Sequence, residues 1–224
     1  MSNTIAFIPA RKGSKSIRNK NLKLINNKSL VELTINQAKK SKLFKKIILS
    51  SDSRTIINLG NKKKILTILR PKQISSDKSL TEAALFHAVN YLYLRKINFE
   101  NIIIMQPTSP LRKLNTLKKF LKICLNKKFT HALTVSKLDH NISVKNKKNI
   151  FIPIVNKNIR RRQDRKSFFY ENGLIYFLKT KNFLKNKKIY SSKWKYIETE
   201  LYESLDINNL NDLKIARLLY NKTK

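Results

Sequence analysis

The chain has 224 residues, enough for one domain with a sizeable buried core, and a hydrophobic fraction of 41% marks it as globular. Its longest uncharged run, residues 83–94, falls well short of the ~20 apolar residues that span a bilayer, and one cysteine with three scattered histidines excludes a disulfide scaffold or a Cys/His metal site. Lys and Arg total 49 against 13 Asp and Glu, a formal +36, but the excess is mostly lysine spread from end to end beside abundant asparagine and isoleucine. That is a compositional bias, not the clustered arginines and interleaved aromatics of a nucleic-acid module, so no nucleic-acid partner is expected.

The first residues carry their cations after the apolar stretch and lead into a turn, which does not read as a signal peptide; a cytoplasmic chain without a membrane partner is expected. Short β-branched runs at 5–8, 47–51, 65–69, 102–106 and 132–136 predict parallel strands buried on both faces. Between them, Ser29 with Glu32 and Ser79 with Glu82 fit capping boxes. The second is followed by Leu85, Ala88, Val89 and Leu92 at helical spacing. This alternation predicts an α/β fold: a Rossmann-like, mostly parallel sheet with helices on both faces and ligands beyond the carboxyl ends of its strands.

From about residue 139 the pattern changes to a basic, polar stretch with an apolar run at 151–155, one strand of a hairpin or an arm. An insertion over about 139–170 that makes a homodimer is expected, within a single domain of residues 1–224. Residues 173–178 read as a strand and 196–201 as a weaker one. A last helix begins near Asn209, with Asp212 in its first turn and Leu213, Ala216 and Tyr220 on one face.

The first predicted strand runs into a loop, residues 9–21, that holds Arg11, Lys12, Lys15, Arg18 and Lys20 with Gly13, Ser14 and Ser16. Converging cations and backbone N–H groups at a strand's carboxyl end suit a polyphosphate, although neither P-loop nor dinucleotide spacing is present; a solvated basic turn is the alternative. The stretch from Ile8-Pro9-Ala10-Arg11 through Lys20-Asn21 resembles the signature of the acylneuraminate cytidylyltransferases. Ser50-Ser51-Asp52, Leu69-Arg70-Pro71 with Ser76-Asp77, Gln106-Pro107-Thr108-Ser109-Pro110-Leu111-Arg112, Asn172-Gly173-Leu174-Ile175-Tyr176 and Ser204-Leu205-Asp206-Ile207 follow in the same order, so the resemblance covers nearly the whole chain.

The resemblance implies a nucleotide-diphospho-sugar transferase-like fold and transfer of CMP from CTP to a nine-carbon keto sugar acid of the sialic or legionaminic type, with Mg²⁺ as cofactor. It implies that Arg11, Ser14, Lys20 and Asn21 hold the CTP phosphates and ribose and that Arg70 lies beside the cytosine. Gln106, Thr108, Tyr176 and Arg162 would face the sugar acid, Arg162 taking its carboxylate. Arg11, Lys20 and Asp206 would be catalytic, with Asp206 and Asn208 at the metal. The family commonly has a second aspartate where this chain has Asn208, and an amide brings no charge and accepts no proton. Ser16 and Arg18 stand where the family often has Gly and Pro. His87, His131, His140 and Cys124 read as structural, Asp52 and Asp77 as helix caps or ligand contacts, and Arg112 as a turn-pinning or substrate residue. Two other functions compete: nucleotidyl transfer to a different sugar, and a noncatalytic basic protein that binds nucleic acid.

Overall fold

The computed structural model describes residues 3–14, 16–138, 142–145, 151–154, 167–190 and 194–222. In chain order the elements are β1 (Thr4–Pro9), a small hairpin of β2 (Leu24–Ile25) and β3 (Lys28–Ser29), α1 (Leu30–Ser41), β4 (Lys46–Ser51), α2 (Arg54–Lys62), β5 (Leu66–Leu69), α3 (Thr81–Leu94), β6 (Asn101–Ile104), α4 (Leu114–Asn126) and β7 (His131–Leu138). There follow β8 (Ser143–Lys145), β9 (Phe151–Pro153), β10 (Phe168–Lys179), α5 (Thr180–Asn186), β11 (Lys195–Glu198) and α6 (Leu210–Lys222).

The apolar runs become the sheet. Strands β6, β1, β4 and β5 pair in parallel, with Phe7 between Ile48 and Ile104, inside a seven-stranded order β11-β7-β10-β6-β1-β4-β5. One neighbour departs from the parallel expectation: β10 lies antiparallel between β6 and β7, while β11 pairs parallel with β7. After β7 comes the antiparallel β8–β9 ribbon, and β10 then pairs antiparallel with both of its neighbours in the sheet. Strand β10 is 12 residues long, and its register breaks between Glu171 and Tyr176, where Gly173 takes φ +68, a left-handed conformation that strains any residue with a Cβ.

Both faces of the sheet are covered. Val31, Ile35 and Ala38 of α1, Ile56 of α2 and Leu117, Phe120, Leu121 and Cys124 of α4 pack on one face. Leu85, Ala88, Val89 and Leu92 of α3 pack on the other, with Phe183 of α5. A third cluster joins Ile17 of the first loop, Ile25 of the small hairpin, Leu30 and Leu33 of α1, Ile207, and Leu213 and Ala216 of α6. Full burial of an isoleucine is worth ~1.5–3 kcal/mol, so Ile17 and Ile207 fasten the first loop and the 206–208 segment to one small core.

The predicted capping boxes form only in part. Ser29 Oγ accepts from the Glu32 N–H at 3.3 Å, but the Glu32 carboxylate pairs with Lys63 Nζ at 2.6 Å instead of reaching back. Ser79 caps nothing: its hydroxyl bonds to Ser76 Oγ at 2.8 Å, and α3 starts after Leu80. With three glycines in the chain, helix ends use left-handed lysines, Lys42, Lys96, Lys128 and Lys187, where glycine is the usual choice. Among the described residues no helix is long and apolar enough to cross a membrane. The run predicted at 151–155 supplies β9, whereas Lys15, Asp139, His140 and Arg162 lie outside the described residues.

Candidate active site

Strand β1 delivers the first loop to the carboxyl edge of the sheet, where the Ala10 N–H donates to the Ser50 carbonyl of β4 at 2.9 Å. Two bonds brace the loop from within and from beside: Lys12 N–H donates to Asp52 Oδ1 at 2.7 Å, and Asn21 Nδ2 donates to the Arg11 carbonyl at 2.8 Å. Asp52 therefore secures the loop, and Ser53, not Asp52, caps α2. Among the described residues of this loop, Asn19 is left-handed, at φ 54, a conformation that asparagine tolerates better than most residues.

A cleft of about 280 Å³ opens over these strand ends, and it gathers all five predicted nucleotide residues, Arg11, Ser14, Lys20, Asn21 and Arg70, together with Gln106, Thr108, Asp206 and Asn208. Gly13 lines it with open space where a Cβ would project. Arg11 donates from Nη1 to the Ser76 carbonyl at 3.0 Å and forms an ion pair with Asp77 Oδ1 at 2.9 Å, which settles Asp77 as its partner and not a helix cap. Buried Arg70 donates to Ser50 Oγ at 3.2 Å and to the Ser50 carbonyl at 3.0 Å. Burial pushes its guanidinium below the ordinary arginine value, Asp52 opposing and Arg11 adding to the shift.

Lys20 crosses the cleft to donate from Nζ to the Ile207 carbonyl at 2.8 Å. Its pKa is lowered by desolvation, with Asp206 pulling it back up, Arg11 lowering it further and Asp212 raising it. The 206–208 segment is held from three sides. Ile207 N–H donates to the Thr108 carbonyl at 2.9 Å, Asp212 Oδ2 accepts from the Asn208 and Asn209 N–H groups, and Asn208 Nδ2 donates to Asp206 Oδ2 at 2.9 Å. Glu203, 1% exposed, anchors the same segment by accepting from the Lys113 N–H at 3.0 Å and Thr116 Oγ1 at 2.8 Å at the start of α4.

A second cleft, about 250 Å³, adjoins the first through Ser79, Leu80, Thr81 and Gln106; its far wall holds Tyr176 and Tyr190. Tyr176 thus stands apart from the nucleotide cleft but shares Gln106 with it. The bulge below is locked by Asn172, which accepts from Thr134 Oγ1 at 2.8 Å and donates to Ser136 Oγ at 2.9 Å and Thr199 Oγ1 at 2.8 Å.

Arg112 is a structural residue. Fully enclosed, it donates to the Leu174 carbonyl at 3.0 Å, Gln37 Oε1 at 2.7 Å and the Gln106 carbonyl at 2.9 Å, and burial pushes it down to about 9 against the pull of Glu203. It ties the Gln106 turn to β10 and α1. Cys124 is buried and its thiol is pushed up to about 12 by desolvation; His131 packs edge-on to Trp194 at 5.9 Å. Sequence reasoning missed Glu171, Tyr190 and Glu203. The available signal was scarcity: in a chain with 13 acids, Glu171 and Glu203 directly precede two of the recognised motifs.

The loop, the clefts and the 206–208 segment occupy one continuous span of chain, and residues 5–224 match the family described as Cytidylyltransferase. The chain belongs to the cytidylyltransferase family. Two relatives match this cytidylyltransferase along nearly its whole length. A pseudaminic acid cytidylyltransferase of Campylobacter jejuni is 26% identical over 221 residues, 96% of this chain and 95% of that protein. A CMP-N,N'-diacetyllegionaminic acid synthase of Legionella pneumophila is 26% identical over 223 residues, again 96% and 95%. An N-acylneuraminate cytidylyltransferase of Escherichia coli is 36% identical over 108 residues, 48% of this chain but 25% of that protein. The solved structure of a CMP:2-keto-3-deoxy-manno-octonic acid synthetase complexed with CTP superposes over 100% of both chains with TM-score 0.73 at 14% identity, a likeness of fold.

Proposed function

We propose that this cytidylyltransferase transfers CMP from CTP to the anomeric hydroxyl of a nine-carbon keto sugar acid of the sialic, pseudaminic or legionaminic type, releasing pyrophosphate. The observation that carries the reading is the pair of adjoining clefts: one lined by the cations of the first loop and by Asp206, the other walled by tyrosines, the two meeting at Gln106. The names of the relatives that match end to end supply the sugar class.

In this reading the anomeric oxygen forms a new bond to the α-phosphorus, the bond to the bridging oxygen breaks, and the hydroxyl proton is released. Lys20 faces the charge that grows on the α-phosphoryl oxygens, and Arg11 exchanges Asp77 for phosphate. Ser14 and Asn21 bind phosphate and ribose, and Arg70 lies beside the cytosine. Gln106, Thr108 and Tyr176 position the sugar acid, and Arg162 takes its carboxylate.

Asp206 and Asn208 fit Mg²⁺. Both line the phosphate cleft, where Asp206 offers a carboxylate and Asn208, whose Nδ2 now donates to Asp206, offers an amide oxygen once turned, and Mg²⁺ typically takes one or two carboxylates and leaves its other positions to substrate phosphates and water. When bound, the ion would offset charge on the phosphates. Asp206 supplies the only negative charge of that pair, and a half-turn of the Asn208 amide brings its oxygen to the same side.

The active unit in this reading is a cytoplasmic homodimer joined through the 139–170 insertion. Val144, Ile152 and Ile154 of the ribbon are exposed, as are Phe169 of β10 and Tyr196 of β11, whose rings lie tilted at 5.5 Å, and these give apolar material to bury. Pyrophosphate release tests the function: CTP with sialic, pseudaminic or legionaminic acid should support it and ATP, GTP and UTP should not. No release with any of the three acids refutes the reading, and a monomer by light scattering with full activity refutes the dimer.

A further inference from the structure

Glu171 sits at the bulge of β10 in a chain rich in cations, yet among the described residues it forms no ion pair. Its Oε1 instead accepts the hydroxyl protons of two phenols, Tyr176 and Tyr190, the second at 2.8 Å. A phenol has one proton. With both protons directed at Glu171, the Tyr176 and Tyr190 oxygens can present only lone pairs to the second cleft. Glu82, which lines the same cleft from α3, adds a carboxylate, while Leu80, Ile104 and Ile189 supply apolar surface. The phenols stay protonated. Burial, then the bond to Glu171 and its charge, push Tyr176 far above the ordinary tyrosine value and Tyr190 up to about 12.

We propose that Glu171 is a positioning residue that fixes the tyrosine wall of the second cleft as hydrogen-bond acceptors, so that this wall reads donor groups of the sugar acid, an acylamino N–H or a hydroxyl, and rejects its carboxylate. This rests on the reading of the second cleft as the sugar site. It orients the substrate: the donor-bearing end enters beside Tyr176 and Tyr190, with any acyl carbon against Leu80 and Ile189, and the carboxylate is left toward the cationic side. The Glu82 carboxylate on this cleft, with Glu171 behind its tyrosines, would otherwise be out of place in a pocket for an anionic sugar.

The test is Glu171→Gln, whose amide can donate to the phenols and so free them to turn their own protons toward the ligand. Trp194, the one tryptophan, lies edge-on to Tyr190 at 5.6 Å between ring centroids, and its emission reports whether the clamp has opened. The expected result is a shifted Trp194 emission and a rise of about tenfold in KM for the sugar acid, with kcat and KM for CTP unchanged, the pattern of lost uniform binding. A shifted emission with an unchanged sugar KM overturns the proposal, since the clamp would then be purely structural. A common rise of both KM values overturns it as well. If Glu171→Gln fails to fold, Tyr190→Phe deletes one hydroxyl at a site 51% exposed and must raise the sugar KM alone. A wild-type chain inactive with every sugar acid of the panel removes the underlying function. Wild-type activity with an unaffected variant removes Glu171 only.

Discussion

Lys20→Ala separates a catalytic cation from a basic surface turn. The Lys20 ammonium is half-buried, donates at 2.8 Å to the Ile207 carbonyl and lies in the field of Asp206, at the centre of the cleft that Arg11 and Arg70 also line. A charge pair ~4 Å apart at an effective dielectric of ~20 is worth ~4 kcal/mol, and losing most of that at the α-phosphoryl group slows turnover by ~10²–10³-fold. The same substitution removes one charged hydrogen bond to Ile207, a stability cost near ~1.5 kcal/mol, which for a chain of this size lowers Tm by ~3–6 °C. The two effects are read separately, by pyrophosphate release under saturating Mg²⁺ and by thermal melting. Lys20→Arg should recover the melting temperature better than the rate, because a planar fork does not reproduce a compact ammonium at the phosphorus. An unchanged kcat/KM for CTP in Lys20→Ala would refute the assignment of the loop to the triphosphate.

Three further outcomes are expected. Asn208→Asp should lower the Mg²⁺ concentration needed for half-maximal rate, because a carboxylate adds a full charge where the amide adds a dipole, whereas Asp206→Ala should abolish most activity at any Mg²⁺ level and chelation should do the same in the wild type; equal metal dependence in wild type and Asn208→Asp would place residue 208 outside the coordination. Lys128→Gly should raise Tm by a few degrees, since φ 51 penalises lysine by ~1–2 kcal/mol and glycine's extra unfolded entropy offsets only part of that; a lower Tm would contradict the left-handed helix end. Cys124, 0% exposed with its thiol at about 12 against 9.0 ordinarily, should resist thiol reagents in the native state and react after unfolding; its folded pKa being raised, its stabilising contribution is complete below pH 9 and declines as pH climbs toward 12, which alkaline melts would register.

The strand and helix alternation through β7 was legible because each element carries its own local signal, an uninterrupted apolar run or a repeating helical face. Strand β10 was legible only in its second half, 173–178: Tyr170-Glu171-Asn172-Gly173 interrupts the apolar pattern before it, and nothing local in its residues signals the antiparallel direction. Local motifs also compete with neighbours that a spacing rule does not see, as when Ser76 claims the Ser79 hydroxyl and Lys63 claims the Glu32 carboxylate. The first loop and the 206–208 segment were readable as chemistry, but what holds them, Asp77 on Arg11 and Glu203 on the start of α4, spans dozens of residues of sequence. Only the folded chain brings those partners together.

Phosphorus NMR of the chain incubated with CTP, Mg²⁺ and each of sialic, pseudaminic and legionaminic acid tests CMP transfer most directly. The triphosphate signals should give way, with one of the acids, to equal amounts of pyrophosphate and a phosphodiester whose mass is that of the CMP-linked sugar acid. Pyrophosphate accompanied by free CMP, or CTP left intact with all three acids, would contradict it.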